Sequence, residues 1–99
     1  MTNTNTITKQ DNTYNGWKNR QTWNVSLWIN NDEPLYRSAC EYVKEHKINK
    51  KTGEPNRRLY PSFIRHEGLK DCRTPDNISY TGTRLDYKAL NEMMLELVD

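Results

Sequence analysis

Cysteine is scarce: Cys40 and Cys72 are the two in 99 residues. Two thiols cannot build the disulfide framework on which small secreted domains rely, so the expectation is a pair of reduced cysteines in a cytosolic protein. Long apolar runs are missing as well. No stretch reaches the roughly 18 consecutive apolar residues of a membrane-spanning helix. Residues 1–13 are rich in Thr and Asn and lack an apolar central stretch, so they do not read as a secretory signal. With so little to bury, they are expected to form a disordered tail ahead of one domain over residues 14–99. The four glycines do not cluster into a phosphate-binding loop. Asp71, Asp76 and Asp86 are too scattered to form a spaced carboxylate cluster for Mg²⁺.

Hydrophobic residues make up 33% of the chain, yet 10% are aromatic, so a few large rings must supply much of the core. Each aromatic side chain can bury roughly 150–250 Å². Charge is also unevenly placed. Residues 44–73 hold nine Lys/Arg and four Asp/Glu, a net of +5, whereas residues 74–99 hold two and five, a net of −3. Such segregation steers partner choice and encounter more than it steers folding.

All three tryptophans, Trp17, Trp23 and Trp28, fall in one block that also holds Asn15, Asn19, Asn24, Asn30 and Asn31. Alternating and helical spacings compete here, and a short helix from Arg20, capped by Asn19, is the preferred reading. Asp32 with Pro34 opens a second helix carrying Leu35, Ala39, Tyr42 and Val43 on one face. Residues 49–58 have turn residues and no periodicity and read as an exposed basic loop. A one- or two-turn helix follows, with Pro61 opening it and Gly68 closing it. Residues 71–83 read as loop, in which Ile78 and Tyr80 leave room for one short β segment. The last helix starts after Asp86 and runs to about Val98. Its stripe is Tyr87, Leu90, Met94 and Leu97, stapled by Leu85 and Leu90.

The opening from Tyr14 to Asp32 resembles that of a family of small uncharacterised proteins of bacteriophages and other bacterial mobile elements. Its shared pattern is Tyr-Asn-Gly-Trp-x-Asn-x-x-Thr-Trp-Asn-Val-x-Leu-Trp. The match covers about a quarter of the chain. It implies a phage or mobile-element origin and a second helix after Asp32, and it implies no activity.

Four groups of residues carry candidate chemistry. The Trp/Asn block can stack and hydrogen-bond a base or a peptide, or it can be core and caps. In that block Trp17, beside Gly16 and outside the helix, is the tryptophan expected to be partly exposed. The basic loop with its nearby aromatic, Lys50, Lys51, Arg57, Arg58 and Tyr60, can neutralise phosphates and stack a base. Cys40, His46, His66 and Cys72 form a Cys-x5-His, His-x5-Cys pattern. Structural zinc ligands usually lie roughly two to five residues apart, so no metal or other cofactor is expected. The Cys/His pairs also lack the elbow and oxyanion loop of a thiol enzyme. Finally, Asp86, Glu92, Glu96 and Asp99 present an acidic face on a rigid helix.

The expected fold is mainly α, a small single-domain helical structure with a long basic loop. Its expected core is Trp23, Leu27, Leu35, Ala39, Val43, Phe63, Leu90 and Met94. The expected function is a non-enzymatic protein-binding module in the cytoplasm of a bacterial host. It would be an anti-CRISPR-type counter-defence inhibitor that occupies a surface of a host complex through Trp17, Asp86, Glu92, Glu96 and Asp99. The alternative is a nucleic-acid-binding accessory protein using the basic loop and Tyr60. A homo-oligomer joined through exposed aromatics is a third reading, and no membrane partner is expected.

Overall fold

Three short polar side chains set where helices begin. Asn19 accepts a hydrogen bond from the Thr22 N–H at 2.9 Å, Asp32 from the Leu35 N–H at 3.2 Å, and Asp86 from the Ala89 N–H at 3.1 Å. Each satisfies a donor that the first helical turn leaves free. In the computed structural model, which describes Tyr14 and residues 16–98, they open α1 (Arg20–Asn31), α2 (Glu33–His46) and the last helix, α4 (Tyr87–Glu96). The tail expected over residues 1–13 lies outside the described residues, as do Asn15 and Asp99. The chain is mainly α, as its periodicity predicts. Asp32 also ends α1, its N–H donating to the Trp28 carbonyl, so one residue makes the corner between α1 and α2. Helix α4 stops at Glu96, two residues short of the expected end.

Helix α3 (Leu59–His66) starts two residues before Pro61, earlier than expected. Pro61 therefore occupies the third helical position, still in the first turn, where a missing N–H costs nothing. Arg58 makes no side-chain cap at its start. Asn91 of α4 does that work across the interface. Its Oδ1 accepts from the Tyr60 N–H at 2.7 Å, and its Nδ2 donates to the Arg57 carbonyl at 2.6 Å. At the other end Gly68, at φ +74°, lets the Leu69 N–H reach the Ile64 carbonyl and its own N–H reach Arg65, a Schellman closure.

The core lies where all four helices meet. Val25 and Ile29 come from α1, Ala39 and Val43 from α2, Leu59, Tyr60, Phe63 and Ile64 from α3, and Leu90 and Met94 from α4. Tyr80 and Leu85 close it from the segment between α3 and α4. This corrects the expected core in α1. The inward face of that helix is Thr22, Val25, Ser26 and Ile29, spaced i, i+3, i+4, i+7, while Trp23 and Leu27 sit half-buried on its flanks. Leu35 is likewise half-buried and packs against the core from its edge.

The expected basic loop is more ordered than its composition implies. Ile48 pairs with Pro55 in an antiparallel bridge, Asn49 N–H donates to the Glu54 carbonyl at 2.8 Å, and Asn56 N–H to that of Lys47 at 2.8 Å. Gly53 turns the tip at φ +75°. A second bridge joins Arg73 and Ser79, so the short β contact anticipated near Ile78 and Tyr80 is a single rung around the turn at Asn77.

Candidate functional site

The Trp/Asn block is largely taken up in holding the chain together. Asn24 is buried, accepting from the Thr74 hydroxyl at 2.6 Å and donating to the Asp76 carboxylate at 2.7 Å. The Trp28 indole N–H donates to the same carboxylate oxygen at 2.9 Å. Thus α1 grips the turn at residues 74–78, more than forty positions along the chain. Asn19 and Thr22 form a second clasp. Asn19 Nδ2 donates to the Arg84 carbonyl at 2.7 Å, and Thr22 Oγ1 accepts from the Asp86 N–H at 3.0 Å. The starts of α1 and α4 are thereby fixed to each other. Asn30 donates to the Ser26 carbonyl within its own helix.

These bonds make Asp76 a titrating brace. Its carboxyl is held below the ordinary carboxylate range, first by the Asn24 amide, then by the Trp28 indole, with Arg20 adding a smaller pull and slight burial opposing. A folded-state value below the unfolded one stabilises the protein fully above about pH 4, where an unfolded Asp is ionised. That contribution is lost as pH falls through the lower folded value. Asp76→Asn is therefore expected to lower the Tm at neutral pH, with a gap to wild type that narrows steadily in acid. Thermal melts across an acidic pH series check this, and a gap that widens in acid would contradict it.

Of the residues expected to meet a partner, Trp17 is half-buried, bridged to Tyr14 by backbone hydrogen bonds of 2.8 and 2.9 Å and packed against the core. Tyr14, the first residue of the shared opening pattern but not one of the expected partner-binding residues, is the exposed aromatic there, stacked on Trp23 with centroids 6.0 Å apart. Asp86 is a half-buried helix cap, occupied by the Ala89 N–H. Glu92 and Glu96 are exposed on α4, and Asp99 lies outside the described residues. Lys50, Lys51, Arg57 and Arg58 are all exposed. Tyr60 is fully buried, its hydroxyl donating to the Tyr80 carbonyl at 2.6 Å. That corrects its proposed role as a stacking platform: as the second residue of α3 it points into the core, where no base can reach its face.

The fold brings one member of the basic set and one of the acidic set together. A groove of about 480 Å³ runs between the base of the hairpin and α4, lined by Pro55, Arg57, Lys88, Asn91, Glu92 and Leu95. Pro55 and Leu95 supply its apolar surface, and Arg57, Lys88 and Glu92 its charges. Among the described residues the ion pairs are Arg37–Glu33 and His66–Glu67, and neither involves these three charges. Asn91 locks the two walls together by its bond to the Arg57 carbonyl. Leu95 escaped the sequence reading because it falls off the buried stripe of α4. Its own spacing, Lys88, Glu92, Leu95 at i, i+4, i+7, marks a second face of that helix.

The Cys/His pattern does not converge on one point. His46 and His66 both lie against the Tyr42 ring, with centroids 4.1 and 5.1 Å away, while the Cys72 thiol is aimed at the Gly68 carbonyl at 3.7 Å. Among the described residues no three His, Cys, Asp or Glu side chains gather at metal-binding spacing. No helix among them is long and apolar enough to cross a membrane.

A family model described as "Family of unknown function (DUF7249)" matches residues 10–99. The chain belongs to that family. No curated protein and no solved structure matches it. In this DUF7249 chain the matched region takes in all four helices, both clasps of α1 and the groove beside α4.

Proposed function

We propose that this protein is a non-enzymatic module that binds another protein, with the groove between the hairpin base and α4 at the centre of its contact surface. One observation carries the reading: Arg57, Lys88 and Glu92, drawn from oppositely charged parts of the chain, stand around an apolar floor of Pro55 and Leu95 and pair with no charge among the described residues. Charges of both signs around a small apolar centre suit a polar-rimmed protein interface. They suit a nucleic-acid backbone less well, because Glu92 repels phosphate. The likeness of the opening to proteins of bacteriophages and mobile elements directs the search to host complexes, defence complexes of the CRISPR-effector type among them.

The test is affinity purification of the tagged full chain from bacterial host lysate, with and without nuclease, beside the groove variant Arg57→Glu/Glu92→Lys. Both positions are exposed, so the variant is expected to fold. A protein that survives nuclease and is depleted about tenfold or more by the variant supports the module and its groove. A signal abolished by nuclease moves the function to nucleic acid and the exposed cations Lys50, Lys51, Arg57 and Arg58.

A further inference from the structure

A second recess, of about 330 Å³, lies between α3, the first residue of α4 and the segment that joins the two helices. This is at the small end of the roughly 300–1,000 Å³ typical of ligand sites. Its accessible wall is made by the half-buried Pro61 and Tyr87, with Tyr60 and Ile64 directly behind them at 0% and 1% exposure. Arg65, Lys70 and Thr81 form the rim, and all three are exposed.

The recess is built rather than incidental. The Tyr87 hydroxyl donates to the Gly82 carbonyl at 2.9 Å, the Tyr60 hydroxyl to Tyr80 at 2.6 Å, and the Thr81 hydroxyl to Lys70 at 2.8 Å. The loop wall is thus tied to both helices before any ligand arrives. Because the Tyr87 hydroxyl is already engaged, the ring is left to offer apolar and π surface. The rim is of one sign. No carboxylate is among the lining residues, and neither Arg65 nor Lys70 takes part in an ion pair among the described residues. Both cations belong to the segment of net charge +5.

We propose that this recess takes one large apolar or aromatic side chain presented on an acidic segment of a partner protein, with the flanking carboxylates meeting Arg65 and Lys70. The inference rests on the protein-binding reading and names the chemistry of the partner. The ring of the anchor packs on Tyr87 and Pro61. The carboxylates on either side supply the charge that the rim lacks, in the manner of acidic-motif recognition by clustered cations. A nucleic acid would bring negative charge without requiring the anchor, which separates the two.

The probe is a fluorescein-labelled peptide, Glu-Glu-Trp-Glu-Glu, titrated with the full chain and followed by fluorescence anisotropy. Beside it run the same peptide with Ala for Trp, and an oligothymidylate of equal charge. The expected result is saturable binding of the Trp peptide, weakened about tenfold or more both by Trp-to-Ala in the peptide and by Arg65→Glu/Lys70→Glu in the protein. Circular dichroism confirms that this surface variant stays folded. Equal affinity for the Ala peptide overturns the anchor. Unchanged affinity of the charge-reversed protein overturns the site, and no saturable binding of the Trp peptide overturns the proposal. Tighter binding of the oligothymidylate assigns the rim to nucleic acid and overturns it as well. A host protein still captured at full yield by Arg65→Glu/Lys70→Glu would sink this recess while leaving the module reading intact. The absence of any captured protein would sink the module reading itself.

Discussion

Asn24→Ala is expected to lower the free energy of unfolding by about 2–3 kcal/mol, an unusually large effect for a polar side chain. Asn24 is 1% exposed, and its Oδ1 is the acceptor for the Thr74 hydroxyl at 2.6 Å. Thr74 is itself buried, and its oxygen already accepts from the N–H groups of Asp76 and Ile78, both at 3.2 Å. Without Asn24 the Thr74 hydroxyl proton has no acceptor, and leaving a buried donor unsatisfied costs about 1–3 kcal/mol. The turn at residues 74–78 also loses two of its three side-chain hydrogen bonds to α1, keeping that from the Trp28 indole. In a domain of about 100 residues each kcal/mol moves the Tm by roughly 4–8 °C, so the variant should melt about 10–20 °C lower. Calorimetry checks the magnitude, and amide exchange checks the place: protection should fall first in residues 74–80. A Tm within error of wild type would mean that the clasp contributes nothing and that Asn24 is free for binding after all.

That expectation shows where sequence reasoning succeeds and where it stops. Helix starts are local events, a side chain reaching a backbone N–H three residues on, and Asn19, Asp32 and Asp86 were therefore all readable as caps. The α1 core face was not readable in the same way. Trp23 and Leu27 outrank Val25 in apolar bulk, and a pattern weighted by bulk points them inward. What rotates the helix is polar: Asn24 finds Asp76 52 residues away, and Thr22 finds the Asp86 N–H 64 residues away. No window of a dozen residues contains either partner. The groove met the same limit from the other side. Arg57 and Glu92 were both visible as candidates, but in rival readings, one for phosphate and one for the surface of a host complex. Only the packing of the hairpin base on α4, held by Asn91, makes them neighbours in one surface.

Tyr60 is the residue on which the nucleic-acid reading and the fold make opposite forecasts. If it were a stacking platform beside Arg57 and Arg58, Tyr60→Ala would fold normally and lose affinity. The structure makes its side chain fully buried, with its ring 5.9 Å from that of Tyr87. Burial pushes the phenol well above its ordinary range, with Tyr87 and Tyr80 adding to the rise. Truncation to Ala removes a buried ring and also orphans the Tyr80 carbonyl, so the expected loss is about 3–5 kcal/mol. Small domains have only about 5–15 kcal/mol in total, and this variant should unfold at much lower urea. Tyr60→Phe keeps the ring and loses only the hydrogen bond, at a cost of about 1–2 kcal/mol. Arg57→Ala and Arg58→Ala, both exposed, should stay within about 0.5 kcal/mol of wild type. Urea titrations of these four variants, followed by circular dichroism, read the ordering directly. The graded series Ala, Phe, wild type assigns Tyr60 to the core. A stable Tyr60→Ala protein that loses only nucleic-acid affinity would return it to the surface and reopen the basic loop as the principal site.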